Sequence, residues 1–130
     1  MVSGRRAKAP QPPQQGHVLK LDLDPALGHE QKGYRPVLTV SASVFNKYTG
    51  FCWVVPVTTP QKGLPHETRL PEGLPIRGML LLSQLRSLDW RARPFSVVCS
   101  VPSAFLEDIL ARLSSVLEPE AAKHRREAGY

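Results

Sequence analysis

The chain has 130 residues, of which 42% are hydrophobic, and a formal net charge of +6. This length fits one domain with a modest core, and no apolar run approaches the ~20 residues that a membrane-spanning helix needs. The N-terminus lacks the apolar region of a secretion signal. Cys52 and Cys99 lie in apolar runs, as reduced buried thiols do, so the sequence predicts a cytoplasmic protein. The positive charge favours a polyanionic partner without requiring one.

The two ends of the chain differ in composition from the middle. Residues 1–15 contain three prolines, three basic side chains and no hydrophobic period, which predicts a disordered basic tail. Residues 119–130 are polar without an apolar stripe and predict a flexible C-terminal tail. The sequence therefore predicts one folded domain over residues 16–118.

Short strands are predicted along this domain. Residues 17–23 alternate apolar and polar side chains, which is typical of a half-buried strand. Residues 46–50 predict a turn, and the almost wholly apolar residues 51–57 predict a central strand covered on both faces. The other predicted strands are 36–42, 66–70, 79–83 and 95–101, with an irregular or short strand within 85–93.

One helix is predicted after the strands. Pro102 suits the first helical turn because it needs no amide hydrogen bond there. An apolar stripe at helical spacing follows, formed by Phe105, Ile109, Leu113 and Val116 with Leu106, Leu110 and Leu117 beside them. Short strands separated by turns and followed by one helix predict a mainly β fold, a small and strongly curved antiparallel sheet or barrel with the helix packed on it.

A polar loop at residues 28–36 precedes the second predicted strand. It contains Glu30 between two glycines, and this carboxylate is either simply solvated or part of a site. The loop ends at Arg35, whose backbone Pro36 holds extended. Arg35 either forms a surface ion pair of little energetic value or binds an oxyanion.

Thr58 and Thr59 follow the apolar strand and precede a proline, so they are expected at the rim of the sheet. Their hydroxyls either bond to backbone or face a site. Attack of a ribose 2′-OH on phosphate needs a base, donors for the developing charge and an acid for the leaving oxygen. Glu30, Arg35 and Thr58 could meet these needs, with His29 as a further proton carrier.

Residues 84–93 contain three arginines around Trp90. They fit either stacking on bases with phosphate contacts, or a core tryptophan beside arginines that face solvent. The four histidines show no ligand spacing, and neither a phosphate-binding Gly-rich loop nor a Gly-x-Ser-x-Gly motif is present. The sequence therefore predicts no metal and no cofactor.

Five segments together resemble the MazF/PemK toxins of bacterial toxin–antitoxin systems. The most specific reads Gly-x-Glu-Gln-x-Gly-x-Arg-Pro. In the family's order, within residues 16–117, the segments are 16–25, 28–36, 56–59, 62–63 and 83–89. The resemblance implies an SH3-like, partly opened antiparallel barrel of the CcdB/MazF/PemK type, with a C-terminal helix, that works as a homodimer.

The resemblance also implies a function. Members are sequence-specific, metal-independent endoribonucleases that cleave single-stranded mRNA, arrest growth and leave 2′,3′-cyclic phosphate and 5′-hydroxyl ends. An acidic, MazE-like antitoxin neutralises them. The resemblance assigns catalysis to Arg35, Thr58 and Glu30, without fixing which is base and which is acid. It places in the RNA groove His29, Gln31, Thr59, Lys62, Gln84 and Arg86.

Three positions, His17, Leu64 and Ser83, depart from residues that are common in the family, which leaves the cut-site preference open. Two alternatives remain: a non-nucleolytic toxin of the same fold acting on DNA gyrase, and a catalytically silent homologue that binds RNA or an antitoxin. The Glu-Gln-x-Gly-x-Arg-Pro segment argues against the first, since gyrase-directed relatives lack it as a unit. The intact Glu30, Arg35 and Thr58 argue against the second.

Overall fold

The computed structural model describes residues 11–59 and 67–120, and within these ranges it contains seven strands and two α-helices. The N-terminal elements are β1 (His17–Asp22), β2 (Tyr34–Thr39), α1 (Ser43–Thr49) and β3 (Phe51–Thr58). The remaining elements are β4 (Glu67–Arg69), β5 (Met79–Leu81), a 3-10 turn (Leu82–Gln84), β6 (Arg86–Asp89), β7 (Phe95–Ser100) and α2 (Ser103–Val116). No helix of the described residues is long and apolar enough to cross a membrane.

The strands form one antiparallel sheet in the order β4-β5-β3-β2-β1-β7, and β6 pairs with the first half of β3. The two ends of this order, β4 and β7, do not pair with each other, so the sheet is open. The prediction of a mainly β, partly opened barrel with a C-terminal helix is therefore confirmed.

Strand alternation divides the apolar side chains between two core clusters on opposite faces of the sheet. The tryptophan cluster contains Leu19, Leu21, Leu23, Val37, Cys52, Val54, Leu88 and Trp90. The helix cluster contains Val18, Leu38, Val40, Val55, Val57, Leu70, Leu80, Val101 and, from α2, Ile109. Helix α2 thus packs on the face of the helix cluster, and the tryptophan cluster lies on the other face.

The predicted turn at residues 46–50 is wrong, because the chain forms helix α1 there, so the described residues contain two α-helices where one was predicted. The helix ends at Gly50, whose left-handed φ of 77° lets the chain reverse. Its sequence has modest helix propensity, and tertiary contacts stabilise it: the side chain of Asn46 donates to Pro13 O at 2.8 Å, and Trp90 Nε1 donates to Asn46 O at 2.7 Å.

Two burial predictions also need correction. Phe51 and Trp53 remain 45% and 38% exposed, so only the second half of β3 is covered on both faces. At the end of α2, Val116 and Leu117 continue the apolar stripe but do not pack into the core. Together with Phe45, Trp53 and Leu85 they line an apolar groove of about 1000 Å³.

The N-terminal boundary of the described fold lies before Gly16. Pro13 is buried, Gln15 N donates to Ser43 Oγ at 3.0 Å, and Gln15 Nε2 donates to Val40 O at 2.9 Å. Residues 1–10 and 121–130 lie outside the described residues, so the two tails stay a prediction.

Both cysteines are unpaired thiols, but only Cys52 is fully buried, whereas Cys99 is partly buried. Burial raises the pKa of the Cys52 thiol from 9.0 to about 11. At pH 8 only about one Cys52 in a thousand is then a thiolate, the form that reacts.

We expect iodoacetamide at pH 8 to leave Cys52 unmodified in the folded protein and to alkylate it after denaturation. The pKa of Cys52 is higher in the folded than in the unfolded state, so the thiol ionises first in the unfolded state as the pH rises. The contribution of Cys52 to the free energy of unfolding is therefore fully present below pH 9 and is lost as the pH rises towards 11. Peptide mass spectrometry with and without urea measures the labelling. Rapid alkylation of the native protein at Cys52 would contradict the prediction.

Candidate active site

Arg35 and Thr58 lie at the same end of two neighbouring strands. The ladder between β2 and β3 ends at the pair Val37 and Pro56, and Arg35 and Thr58 each lie two residues further along. By strand alternation Arg35 is on the face of Val37, and Thr58 is on the face of Val54, both on the side of the tryptophan cluster. The sheet therefore brings these two predicted catalytic residues to one face.

The Arg35 guanidinium is oriented by the backbone of the preceding loop. Its Nε donates to Lys32 O at 2.7 Å, and the residue is half-buried. Within residues 11–59 and 67–120 no acidic side chain forms an ion pair with Arg35, so its terminal amino groups can serve a ligand. A planar guanidinium suits paired hydrogen bonds to phosphate oxygens. Thr58 is buried, with only 5% of its surface exposed.

A loop at residues 23–33, called here the 23–33 loop, connects β1 to β2 and carries the predicted acid. Its ends are held together, because Leu23 N donates to Gly33 O at 2.9 Å and Gly33 N donates to Asp24 Oδ1 at 3.1 Å. Gly33 has a φ of 82°, which a side chain would disfavour. This closure places the loop beside the strand end at which Arg35 lies.

Glu30 is exposed and folds back on its own turn. Its Oε1 accepts a hydrogen bond from Leu27 N at 2.7 Å, and its backbone N donates to Leu27 O at 3.1 Å. In the described part of the chain, no hydrogen bond or ion pair joins Glu30 to Arg35 or Thr58. The structure thus brings Arg35 and Thr58 to adjacent strands and leaves Glu30 on the neighbouring loop.

Gln84 and Arg86 are distant in sequence from the 23–33 loop, but their side chains hydrogen-bond to its backbone. Gln84 Oε1 accepts from Gln31 N at 2.7 Å, and Gln84 Nε2 donates to His29 O at 3.2 Å. Arg86 donates to Leu23 O at 2.9 Å and to a second loop carbonyl at 3.5 Å. These contacts span 53 to 63 residues, so no local pattern in the sequence could reveal them.

The arginines after β6 act on the protein's own backbone. Trp90 is buried, which confirms its interpretation as a core residue, and the Arg91 guanidinium lies 5.0 Å from its ring centroid. The arginines are not simply directed to solvent, however. Arg91 donates to Lys47 O at 3.0 Å, and Arg93 Nη1 donates to the carbonyls of Asp22 and Asp24, each at 2.7 Å.

The remaining predicted groove residues differ in placement. His29 and Thr59 are exposed, Gln31 is half-buried, and its side-chain Oε1 is buried without a hydrogen-bond partner in the described structure. Lys62 lies outside the described residues. Among residues 11–59 and 67–120, no three His, Cys, Asp or Glu side chains come together as a metal site would need.

Comparison with known proteins agrees with the sequence resemblance. A model of the PemK-like, MazF-like toxins of type II toxin–antitoxin systems matches residues 14–117. The endoribonuclease toxin MazF of Escherichia coli K12 is 36% identical over 105 residues, which are 81% of this chain and 94% of that protein. The endoribonuclease PemK of Escherichia coli is also 36% identical, over 80% of this chain and 81% of its own length.

Solved structures show the same fold. MazF from Deinococcus radiodurans superposes with a TM-score of 0.74 at 39% identity, covering 82% of this chain and 96% of that one. MazF in a MazE–MazF complex from the same organism gives 0.69 at 39% identity, over 81% and 95% of the two chains. Since the family model covers most of its length, the chain belongs to the PemK-like, MazF-like toxin family of type II toxin–antitoxin systems.

Proposed function

We propose that this protein is a sequence-specific, metal-independent endoribonuclease that cleaves single-stranded mRNA and arrests growth as the toxin of a toxin–antitoxin pair. The observation that carries the proposal is the placement of Arg35 and Thr58 on one face of adjacent strand ends. The guanidinium there is oriented by Lys32 O and has no acidic partner in the described structure. The named activity of relatives at 36% identity supports the same conclusion.

In the proposed reaction the ribose 2′-oxygen attacks the adjacent phosphorus and the 5′-oxygen leaves. The 2′-hydroxyl proton passes to a base, and an acid protonates the departing oxygen, which gives a 2′,3′-cyclic phosphate and a 5′-hydroxyl. The terminal amino groups of Arg35 would bind the non-bridging oxygens as their charge grows. Glu30 and Thr58 would serve the proton transfers, with His29 as an additional carrier, and Glu30 would first release Leu27 N.

The RNA would cross the edge of the sheet at which the strand ends with Arg35 and Thr58 lie. We assign its contacts to His29, Gln31, Thr59 and Lys62. A net charge of +6 supports binding of a polyanion. For Gln84 and Arg86, also assigned to the groove by the family resemblance, the contacts support a different role that is argued below.

Partners and location follow from the same proposal. Because MazF of Deinococcus radiodurans crystallises with MazE, we propose that an acidic, MazE-like antitoxin neutralises this protein. We further propose a homodimer, acting in the cytoplasm, where mRNA is found and where unpaired thiols such as Cys52 stay reduced.

The test is to incubate the purified protein with a long single-stranded RNA and to map the 5′ ends of the fragments. Cuts at one short motif that end in 5′-hydroxyl and cyclic phosphate groups would support the proposal. An intact RNA would overturn it, and an assay of DNA gyrase inhibition would then test the non-nucleolytic alternative.

Chelation should leave the cleavage rate unchanged. The proposed chemistry uses protein side chains alone, so 5–10 mM EDTA, used as a rough excess over trace metal, is expected to alter the rate by less than about twofold. The measurement is the initial rate on a short RNA containing the mapped motif, before and after dialysis against the chelator. Activity that disappears and returns with added magnesium or zinc would contradict metal independence.

A further inference from the structure

We propose that Gln84 and Arg86 are positioning residues, which act on cleavage by holding the 23–33 loop in place and not by contacting the RNA bases. This inference rests on the proposed endoribonuclease function. It gives a role in cleavage to two residues that would not touch the scissile phosphate. Its basis is the pattern of hydrogen bonds that these side chains make to the loop backbone.

The Gln84 amide bonds to the residues on either side of the predicted acid. Its Oε1 accepts the N–H of Gln31 at 2.7 Å, and its Nε2 donates to the carbonyl of His29 at 3.2 Å. Glu30 lies between these two residues, so both of its peptide neighbours are fixed by one side chain. These two bonds use one lone pair of the amide oxygen and one of the two N–H donors, and they fix the amide plane against the loop backbone.

Arg86 holds the start of the same loop. Its Nη1 donates to Leu23 O at 2.9 Å, and its Nη2 approaches Pro25 O at 3.5 Å. The planar, forked guanidinium can reach two carbonyls at once, which a lysine ammonium on its flexible stem does less well. Both terminal amino groups of Arg86 therefore lie against carbonyls of the loop.

Both side chains are anchored next to β3, the strand that also carries Thr58. Arg86 pairs with Val54 of β3, and β3 ends at Thr58. Gln84 lies in the 3-10 turn immediately before β6. The predicted acid on the loop and the predicted hydroxyl on the strand thus share one rigid support, and this fixes their separation.

The loop needs such support because its own sequence permits many conformations. Gly28 and Gly33 both have positive φ values, and within the described structure Glu30 bonds only to Leu27 of its own turn. Ordering a flexible segment before the reaction removes an entropic cost from the chemical step, and a displacement of 1 Å at a catalytic group can cost about a hundredfold in rate.

The experiment compares Gln84→Ala and Arg86→Lys with two controls. Gln11→Ala removes an exposed glutamine, and Ser87→Ala changes an exposed position next to Arg86; in the described structure neither side chain hydrogen-bonds to the loop. Each protein is measured for its single-turnover cleavage rate, its cut motif, and its Kd for the same RNA with a 2′-deoxy sugar at the cut position. Hydrogen–deuterium exchange follows the peptide that spans residues 27–33.

For Gln84→Ala we expect the same cut motif, a Kd within about twofold, and a cleavage rate lower by about ten- to a hundredfold. Exchange at the amide of Gln31 should become faster, since that N–H loses its acceptor. Arg86→Lys should show the same pattern although the charge is retained. Gln84→Glu keeps an acceptor for Gln31 N and should lose less than Gln84→Ala. Both controls should match the wild type.

A changed cut motif in Gln84→Ala, or a Kd raised tenfold at an unchanged single-turnover rate, would show direct RNA contact and overturn the inference. Unchanged exchange over residues 27–33 would also overturn it, because the loop would then not depend on Gln84. If the wild-type protein cuts no RNA, the proposed function fails, while the exchange measurement still decides whether these side chains hold the loop.

Discussion

Substitution of Arg35 by alanine is expected to abolish RNA cleavage, with a loss of at least about 10²–10³-fold, while the domain still folds. Removing one donor that stabilises transition-state charge has this order of effect. The stability should change little, because the only hydrogen bond of the Arg35 side chain in the described structure is the half-exposed one to Lys32 O. Initial rates on a short RNA measure cleavage, circular dichroism measures folding and thermal stability, and size-exclusion chromatography checks that the oligomeric state is unchanged.

Two further arginine variants sharpen this test. Arg112→Ala removes a positive charge from α2, where Arg112 forms an exposed ion pair with Asp108 at 3.1 Å, and it should cleave RNA normally. Arg35→Lys keeps the charge but loses the planar fork, so its rate should fall between the alanine variant and the wild type. Cleavage by Arg35→Ala near the wild-type rate would exclude Arg35 from the chemistry.

The largest expected effect on stability is that of Asn46→Ala, a loss of about 2–4 kcal/mol in the free energy of unfolding. The Asn46 side chain is buried; its amide donates to Pro13 O at 2.8 Å and to Ser41 O at 3.3 Å, and its Oδ1 accepts from Ser41 Oγ at 2.5 Å. Alanine would remove the donor to the buried Pro13 O and to Ser41 O, and the acceptor for Ser41 Oγ. Urea unfolding monitored by tryptophan fluorescence, to which the buried Trp90 and the partly exposed Trp53 contribute, measures the loss.

The neighbouring Lys47→Ala is the matched control for this variant. Lys47 is exposed, and its backbone carbonyl, which alanine retains, is the group that accepts from Arg91. Its effect should stay within about 0.5 kcal/mol. Asn46→Asp should destabilise at least as strongly as alanine, because it sets a carboxylate against two carbonyl oxygens. A change below about 1 kcal/mol in Asn46→Ala would show that water replaces these bonds.

The sequence was a good guide wherever burial follows a local period. Alternation in β1 and the apolar run of β3 predicted strands at nearly the observed bounds, and helical spacing predicted α2. Periodicity failed at α1, whose residues have modest helix propensity and whose buried Asn46 bonds to Pro13 O. It also failed at Val116 and Leu117, which continue the helical stripe past the end of the core.

By itself the sequence determined the fold class and, through its resemblance to one family, the residues expected at the site, because alternation and motif spacing are properties of neighbouring positions. The tertiary structure decided which of them meet. The sheet register brings Arg35 and Thr58 to one face, while Gln84 and Arg86 reach the 23–33 loop across 53 to 63 residues. Contacts over such separations depend on how the strands pair, and local sequence patterns do not predict that pairing.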